Sequence, residues 1–241
     1  MTRKFFIQLA LITSILITPA FGTITYVNSQ AGLGSDSSVN WSGLGPNGTL
    51  IGQNFATGGV NGSFATNGGG ILEVVGDPGS PSYPAFPGFN NGDTLLVSED
   101  TNQTGTGPLT LLRASSVSGL GAYVQVNSLA TFTAQIVALG AGGSVLGSGT
   151  FTSASDGSGN PVFMGVSDSV AGELFGIQLS ITTCAALPGN LAGCSATDFA
   201  TDTLFIRSTA SGVPEPGSLA LVGMGLAAVG WFRRKTAAIR N

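Results

Sequence analysis

Carboxylates and two cysteines are the residues of this sequence that could perform chemistry. The chain has no histidine, which excludes Ser-His-Asp and Cys-His nucleophile systems and all histidine-ligated zinc sites. Two carboxylates suffice for glycoside hydrolysis, and the glutamates between residues 23 and 212 are Glu73, Glu99 and Glu173. Because no pattern in the sequence pairs any two of them, we predict that the protein is not an enzyme, with no catalytic residues and no cofactor.

Cys184 and Cys194 are the only cysteines of the chain and stand ten positions apart. Outside the cytoplasm, two closely spaced cysteines more often form a disulfide than a reactive site. Closing so short a loop contributes about 2–3 kcal/mol in the chain-entropy model. A zinc site is less consistent with the sequence, because two cysteines without further soft ligands do not complete a tetrahedron. We therefore predict a disulfide.

Three aspartates could supply oxygen ligands to a calcium ion. Asp198 and Asp202 flank a short stretch of uncharged residues, and Asp156 begins the oxygen-rich segment 156–160. Calcium takes about six to eight oxygen ligands, and segment 156–160 lacks the acidic residue that an EF-hand carries at its far end. We therefore expect loop capping by Asp198 and Asp202, a hairpin turn at 156–160 and no metal site, with a calcium site as the alternative.

The charge of the central region excludes one class of partner. Between residues 23 and 212 the basic residues are Arg113 and Arg207, against eleven acidic residues, which gives a net charge of −9. The whole chain carries only −4, because six of its eight basic residues lie near the two ends. So few positive charges cannot neutralise a phosphate backbone, and we therefore expect no nucleic-acid partner.

The first 22 residues have the pattern of a secretory signal peptide. Arg3 and Lys4 form a positive start, an apolar stretch follows at 5–17, and small residues stand at Ala20 and Gly22. These small residues occupy the −3 and −1 positions of a signal peptidase site. We therefore predict a signal peptide at 1–22, which signal peptidase removes by cutting between Gly22 and Thr23.

Alternating apolar residues separated by turn residues fill the body of the chain, which we place at 23–210. In segment 174–182 every second residue is apolar, which is the period of a half-buried strand. Many short strands between turns rich in Gly, Asn, Asp, Ser and Pro predict an all-β fold, an antiparallel β-sandwich of jelly-roll type. A β-solenoid competes with it, but no repeat of fixed length supports that fold. The predicted strands are 71–75, 94–98, 109–113, 121–127, 131–139, 144–151, 162–166, 174–182 and 203–208.

The C-terminal region 211–241 begins with a rigid tetrapeptide formed by Val213, Pro214, Glu215 and Pro216. Each proline fixes its own φ and disfavours a helical conformation in the residue before it. The backbone of this tetrapeptide is therefore expected to be extended.

Residues 218–232 carry no charge, and Arg233, Arg234 and Lys235 stand directly after them. The uncharged segment predicts a single transmembrane helix of about 22 Å, shorter than the ~30 Å hydrocarbon core of a bilayer. The basic cluster favours the cytoplasmic side of the inner membrane. A core helix of a soluble domain would need a polar face, which this segment lacks.

This order of Pro-Glu-Pro, short apolar helix and basic cluster resembles the PEP-CTERM sorting signal. The resemblance implies that an exosortase, a membrane-embedded processing enzyme, recognises Pro214, Glu215 and Pro216 and cuts nearby. A proline-rich linker before an ordinary tail anchor is the alternative. Four segments of the body also resemble, in their order, segments of exported proteins that carry this signal, and they lie at 41–46, 88–96, 117–123 and 198–204.

These features together predict an exported protein that is held transiently in the inner membrane and then released into the cell envelope or extracellular matrix. We expect a structural role in association with exopolysaccharide. A carbohydrate-binding, lectin-like module is the alternative, and a glycosidase with two catalytic carboxylates is the third hypothesis.

Overall fold

The structure is a computed structural model that describes residues 22–76, 88–99, 104–126, 128–155, 161–169, 172–188, 194–209 and 224–225. The chain divides into two compact units, Met1–Ser208 and Thr209–Asn241. In the second unit the described residues are Thr209, Met224 and Gly225, the last two helical. No helix among the described residues has the length and apolar composition needed to cross a membrane.

The regular structure of the first unit is almost entirely β, as the alternating pattern predicted. Its helical elements among the described residues are a one-turn helix, α1 (Gln30–Leu33), and two 3₁₀ turns, Trp41–Leu44 and Ala141–Gly143. A single turn is too short to show a helical period in the sequence. The strands are β1 Ile24–Val27, β2 Ser37–Val39, β3 Leu50–Ile51, β4 Asn54–Thr57, β5 Val60–Phe64, β6 Gly70–Val74, β7 Thr94–Val97, β8 Leu109–Val117, β9 Gly119–Val126, β10 Ala130–Leu139, β11 Val145–Ser155, β12 Val162–Asp168, β13 Leu174–Ala186, β14 Phe199–Thr201 and β15 Leu204–Arg207.

The strands form two antiparallel sheets. The nine-stranded sheet runs β1-β12-β9-β14-β7-β6-β3, and β15 joins it beside β9 and carries β2. The six-stranded sheet runs β11-β10-β13-β8-β5-β4. Some neighbours are consecutive in the chain, such as β10 and β11, whereas others, such as β1 and β12, are far apart. The order of strands along the sequence therefore does not reveal the whole order within the sheets.

One hydrophobic core lies between the sheets. Ala134 and Ile136 of β10 and Leu179 of β13 enter it from the six-stranded sheet, and Val124 and Leu96 enter it from the nine-stranded sheet. All five side chains are at most 1 % exposed. Burial of alternate residues from both sheets accounts for the period of two along β10 and β13.

All nine predicted strands are confirmed, but the prediction was incomplete. The five strands that precede Gly70, together with β14, were not among the predicted ones. They have two to five residues each, and glycine can occupy an inward position in place of an apolar residue. Gly62 of β5 is an example, since a Cβ there would overlap the ring of Phe55 on the neighbouring strand β4.

The four segments that resembled those of exported proteins meet within the nine-stranded sheet. β14 lies between β7 and β9, which places three of the segments side by side. Trp41, in the fourth, is fully buried, and its Nε1 donates hydrogen bonds to the carbonyl oxygens of Thr201 at 3.1 Å and Asp202 at 2.6 Å. These four segments therefore lie together in the folded body.

Candidate functional site

Most of the predicted processing residues lie outside the part of the chain that the structure describes. The predicted membrane helix 218–232 also lies outside, except for Met224 and Gly225. The predicted hairpin turn at 156–160 lies outside as well. Gly22 and Thr23, on the two sides of the predicted signal peptidase cut, are described. The other predicted processing residues that lie outside are Ala20, Val213, Pro214, Glu215, Pro216, Arg233, Arg234 and Lys235.

Thr23 continues the pairing of β1 with β12 by one residue. Its backbone nitrogen donates to Ser169 Oγ at 2.9 Å, and its carbonyl oxygen accepts from the Ser169 nitrogen at 3.2 Å. Gly22 lies against two carboxylates, because a Cβ added there would stand 2.5 Å from Asp168 Oδ1 and 3.2 Å from Glu173 Oε2. The predicted cut therefore falls beside an acidic pair.

No sequence pattern points to Asp168, and Glu173 was predicted only as a candidate catalytic carboxylate. Asp168 is the last residue of β12, 4 % exposed, and Glu173 precedes β13, with its nitrogen 3.4 Å from Asp168 Oδ2. Thr23 and Ser169, which follows Asp168, are 146 positions apart in the chain. Only the register between β1 and β12 brings these residues together, and no local pattern could have shown it.

The predicted disulfide is confirmed. Cys184, near the end of β13, is bonded to Cys194, and their Cα atoms are 5.7 Å apart. Both side chains pack against the edge of the core. The bond links the end of β13 to the residues that precede β14, and residues 189–193 lie outside the described ranges.

Glu73 and Glu99, two of the glutamates considered for glycoside hydrolysis, are buried at 4 % and 2 % exposure. Burial raises the pKa of Glu73 to about 7, and the charges of Glu99 and Asp198 add to this effect. Within the described residues, Glu73 Oε1 has no hydrogen-bond partner. Glu73 is paired with Leu95 on β7, so its carboxyl group lies on a largely apolar part of the sheet.

Of the aspartates considered as calcium ligands, Asp198 and Asp202 lie among the described residues and Asp156 lies outside them. Asp202 lies between β14 and β15, and its Oδ1 accepts a hydrogen bond from Thr203 Oγ1 at 3.1 Å. Burial raises the pKa of Asp202, the neighbouring charge of Asp93 acts in the same direction, and the hydrogen bonds from Thr203 oppose both. Among the described residues, no three Asp, Glu or Cys side chains are placed to hold a metal ion together.

The outer face of the six-stranded sheet is polar and uncharged. Its six strands contain one charged residue, Arg113, which shares the inward register of Val60 and Leu111. Cross-strand pairs on the outer face join hydroxyl and amide side chains, such as Gln178 Nε2 to Thr110 Oγ1 at 3.1 Å. The polar residues that register places on this face are Asn54, Asn61, Ser63, Thr110, Thr131, Thr133, Gln135, Ser148, Thr150, Thr152, Gln178, Ser180 and Thr183.

An open groove of about 470 Å³ lies at one edge of this face, along β4, β5 and β8. Asn54, Asn61 and Ser63 supply polar atoms to its lining, and Ala56 and Leu112 supply apolar atoms. The groove therefore combines a few hydrogen-bonding groups with a lining that is mainly apolar.

The family model of the PEP-CTERM protein-sorting motif matches residues 212–235. The predicted sorting motif is thereby confirmed at the position that the sequence indicated. No curated protein matches the chain. The motif supports a protein that is exported and that an exosortase sorts to the cell envelope.

Proposed function

We propose that this exosortase-sorted protein is a structural component of the cell envelope or extracellular matrix, and that the outer face of its six-stranded sheet lies against neutral exopolysaccharide. The uncharged polar character of that face carries the proposal. Hydroxyl and amide groups donate and accept hydrogen bonds as sugar hydroxyls do. The body's net charge of −9 disfavours a strongly anionic polymer, so a neutral polysaccharide is the better match.

The dimensions of the face suit an extended polymer. One row of residues that pair across neighbouring strands crosses the whole sheet. From β11 to β4 this row contains Ser148, Val137, Gln178, Thr110, Ser63 and Asn54. At about 4.8 Å between neighbouring strands, six strands span about 24 Å. Several weak hydrogen bonds along one polymer chain add up to useful retention, although each contributes little alone.

We also propose that the chain is processed at both ends and that its body has a jelly-roll fold. Signal peptidase removes 1–22, the helix 218–232 holds the chain in the inner membrane, and exosortase then separates the body from Arg233, Arg234 and Lys235. Two antiparallel sheets that include pairings between distant strands, such as β1 with β12 and β5 with β8, support a jelly-roll arrangement for the body. Val213–Pro216 remain the proposed recognition segment, which the matched motif supports.

We propose no enzymatic activity. The deep burial of Glu73 and Glu99 supports this, because a glycosidase needs two carboxyl groups open to the scissile bond. A lectin-like site is the second candidate function, and the groove beside Asn61 and Leu112 favours it. A lectin-like site would bind short oligosaccharides in a saturable way, whereas a matrix protein would bind the polymer only.

Affinity electrophoresis of the exported protein through gels that contain dextran or the exopolysaccharide of the producing cells tests the proposal. Thr150→Glu places a charge at an exposed position of the polar face, and Ser38→Glu places the same charge on β2 of the other sheet. We expect the polysaccharide to retard wild type and Ser38→Glu, and to retard Thr150→Glu much less. Equal retardation of the two variants, or none for wild type, would contradict the proposed face.

A further inference from the structure

We propose that the α-ammonium group created on Thr23 by signal peptidase is bound by the carboxylates of Asp168 and Glu173. Removal of the signal peptide would then complete an ion pair that fastens the first strand of the body. The inference rests on the proposed export of the chain, because only an exported precursor meets signal peptidase.

The nitrogen that becomes the new terminus is already held in place. Thr23 nitrogen donates to Ser169 Oγ at 2.9 Å, and the Thr23 carbonyl oxygen accepts from the Ser169 nitrogen. The next pair along the same ladder is Ile24 with Asp168. The Ser169 hydroxyl and the backbone ladder beyond it therefore hold this nitrogen beside the end of β12.

The two carboxylates lie on the side of this nitrogen from which the signal peptide leaves. A Cβ on Gly22 would stand 2.5 Å from Asp168 Oδ1 and 3.2 Å from Glu173 Oε2. Standard bond lengths and angles place the Thr23 nitrogen about 2.4 Å from the Gly22 Cα. Both carboxylates therefore lie within about 7 Å of the atom at which the positive charge would appear, and glycine at position 22 allows their close approach to the main chain.

Cleavage changes the bonding capacity of this nitrogen. Water adds across the Gly22–Thr23 peptide bond, its oxygen ends in the new carboxylate of Gly22, and the released nitrogen takes up protons to become an ammonium group. A peptide nitrogen is neutral and has one N–H, whereas the ammonium group has a charge and three N–H donors. Ser169 Oγ, Asp168 and Glu173 can accept one each, and the bonds to the carboxylates are charge-assisted.

The ion pair would stabilise β1, a strand at the edge of its sheet. Within the described residues β1 is at the end of the nine-stranded sheet and pairs with β12. Tyr26 of β1 packs over Gly147 and Gly149 of β11 in the other sheet. Fixing the free end of β1 therefore also holds a contact between the two sheets, and the precursor lacks this support until it is processed.

Amine labelling of the exported protein tests the proposal directly. The lysines of the chain are Lys4 and Lys235, so after removal of both terminal signals the Thr23 α-amine is the sole amine. The rate of acylation by an amine-reactive ester is measured from pH 6 to pH 10, with peptide mass spectrometry to identify the labelled residue. Only the neutral amine reacts, and an ordinary α-amine has a pKa of about 7.7–8.0.

We expect wild type at pH 7.5 to label about tenfold more slowly than Asp168→Asn, which corresponds to one pKa unit. Glu173→Gln, at an exposed position, should label faster than wild type and decides the outcome if Asp168→Asn does not fold. Asp36→Asn removes an equal charge beside Ser208 and should label at the wild-type rate.

Equal labelling rates in wild type, Asp168→Asn and Glu173→Gln would overturn the inference, as would a mature N-terminus other than Thr23. A chain that is exported and starts at Thr23 but labels equally contradicts this inference alone. A chain that never leaves the cytoplasm contradicts the proposed function as well, so the two failures are distinguishable.

Discussion

Replacing Glu73 by glutamine should reduce the dependence of stability on pH. Glu73 is 4 % exposed, and burial together with the charges of Glu99 and Asp198 raises its pKa to about 7. In the unfolded chain the same group titrates near 4.5. The folded protein therefore holds a proton on Glu73 more tightly than the unfolded chain does, and glutamine imitates the protonated, neutral form.

The sign of the effect is set by this difference in proton binding. The stabilisation is fully present below pH 4.5, falls as the pH rises from 4.5 to about 7, and is absent above that. At 1.36 kcal/mol per pKa unit the full shift from 4.5 to about 7 corresponds to at most about 3–4 kcal/mol. Charge screening reduces this value, and we expect about 1–2 kcal/mol.

Urea denaturation at pH 5, 6, 7 and 8, followed by the fluorescence of the buried Trp41, measures the effect. Wild type should lose about 1–2 kcal/mol of unfolding free energy between pH 5 and pH 8, and Glu73→Gln should lose clearly less. Asp202, whose pKa is also raised by burial, contributes with the same sign in both proteins. The test is therefore the difference between wild type and the variant.

Asp36→Asn is the matched control. In wild type, the hydrogen bond that the Ser208 hydroxyl donates to Asp36 lowers the pKa of Asp36 below its ordinary value of 3.8. The stabilisation from Asp36 is therefore lost only as the pH falls through that lower value, outside the range measured. Equal pH slopes for wild type and Glu73→Gln, or a wild type that gains stability towards pH 8, would refute the reasoning about Glu73.

Two further predictions concern the disulfide and metal binding. Mass spectrometry of unreduced peptides from the envelope protein should find Cys184 linked to Cys194, and replacing both by serine should cost about 2–3 kcal/mol of unfolding free energy; two free thiols would contradict this. A chelator should leave the melting temperature almost unchanged, because Asp198, Asp202 and Asp156 supply too few ligands for calcium. A large decrease in melting temperature on chelation would show a calcium site at these residues.

The longer strands were predictable from sequence because each shows its period over enough residues. β13 buries alternate positions through Ile177, Leu179 and Ile181, and its 13 residues leave little ambiguity. β4 and β5 have four and five residues, and Gly62 lies beneath the Phe55 ring, where a larger side chain has no room. Short strands whose packing depends on glycine give no such signal.

Sites built across the sheets were beyond sequence-based prediction. Glu73 lies on β6 beside β7, and β7 pairs on its other side with β14, which comes about a hundred residues later in the chain. The polar outer face is visible only once the register of six strands is known. The terminal signals are the opposite case, because sorting and processing enzymes recognise short contiguous segments that require no folded partner.

The C-terminal sequence of the envelope form tests the central claim most directly. The protein is isolated from the envelope of a host with an active exosortase, and its C-terminal peptide is identified by mass spectrometry. We predict that wild type ends near Pro214–Pro216 and lacks Arg233, Arg234 and Lys235, and that replacing Glu215 leaves the tail attached to a folded body. A wild-type envelope protein that still carries residues 218–241 would show a permanent membrane anchor and contradict sorting by exosortase.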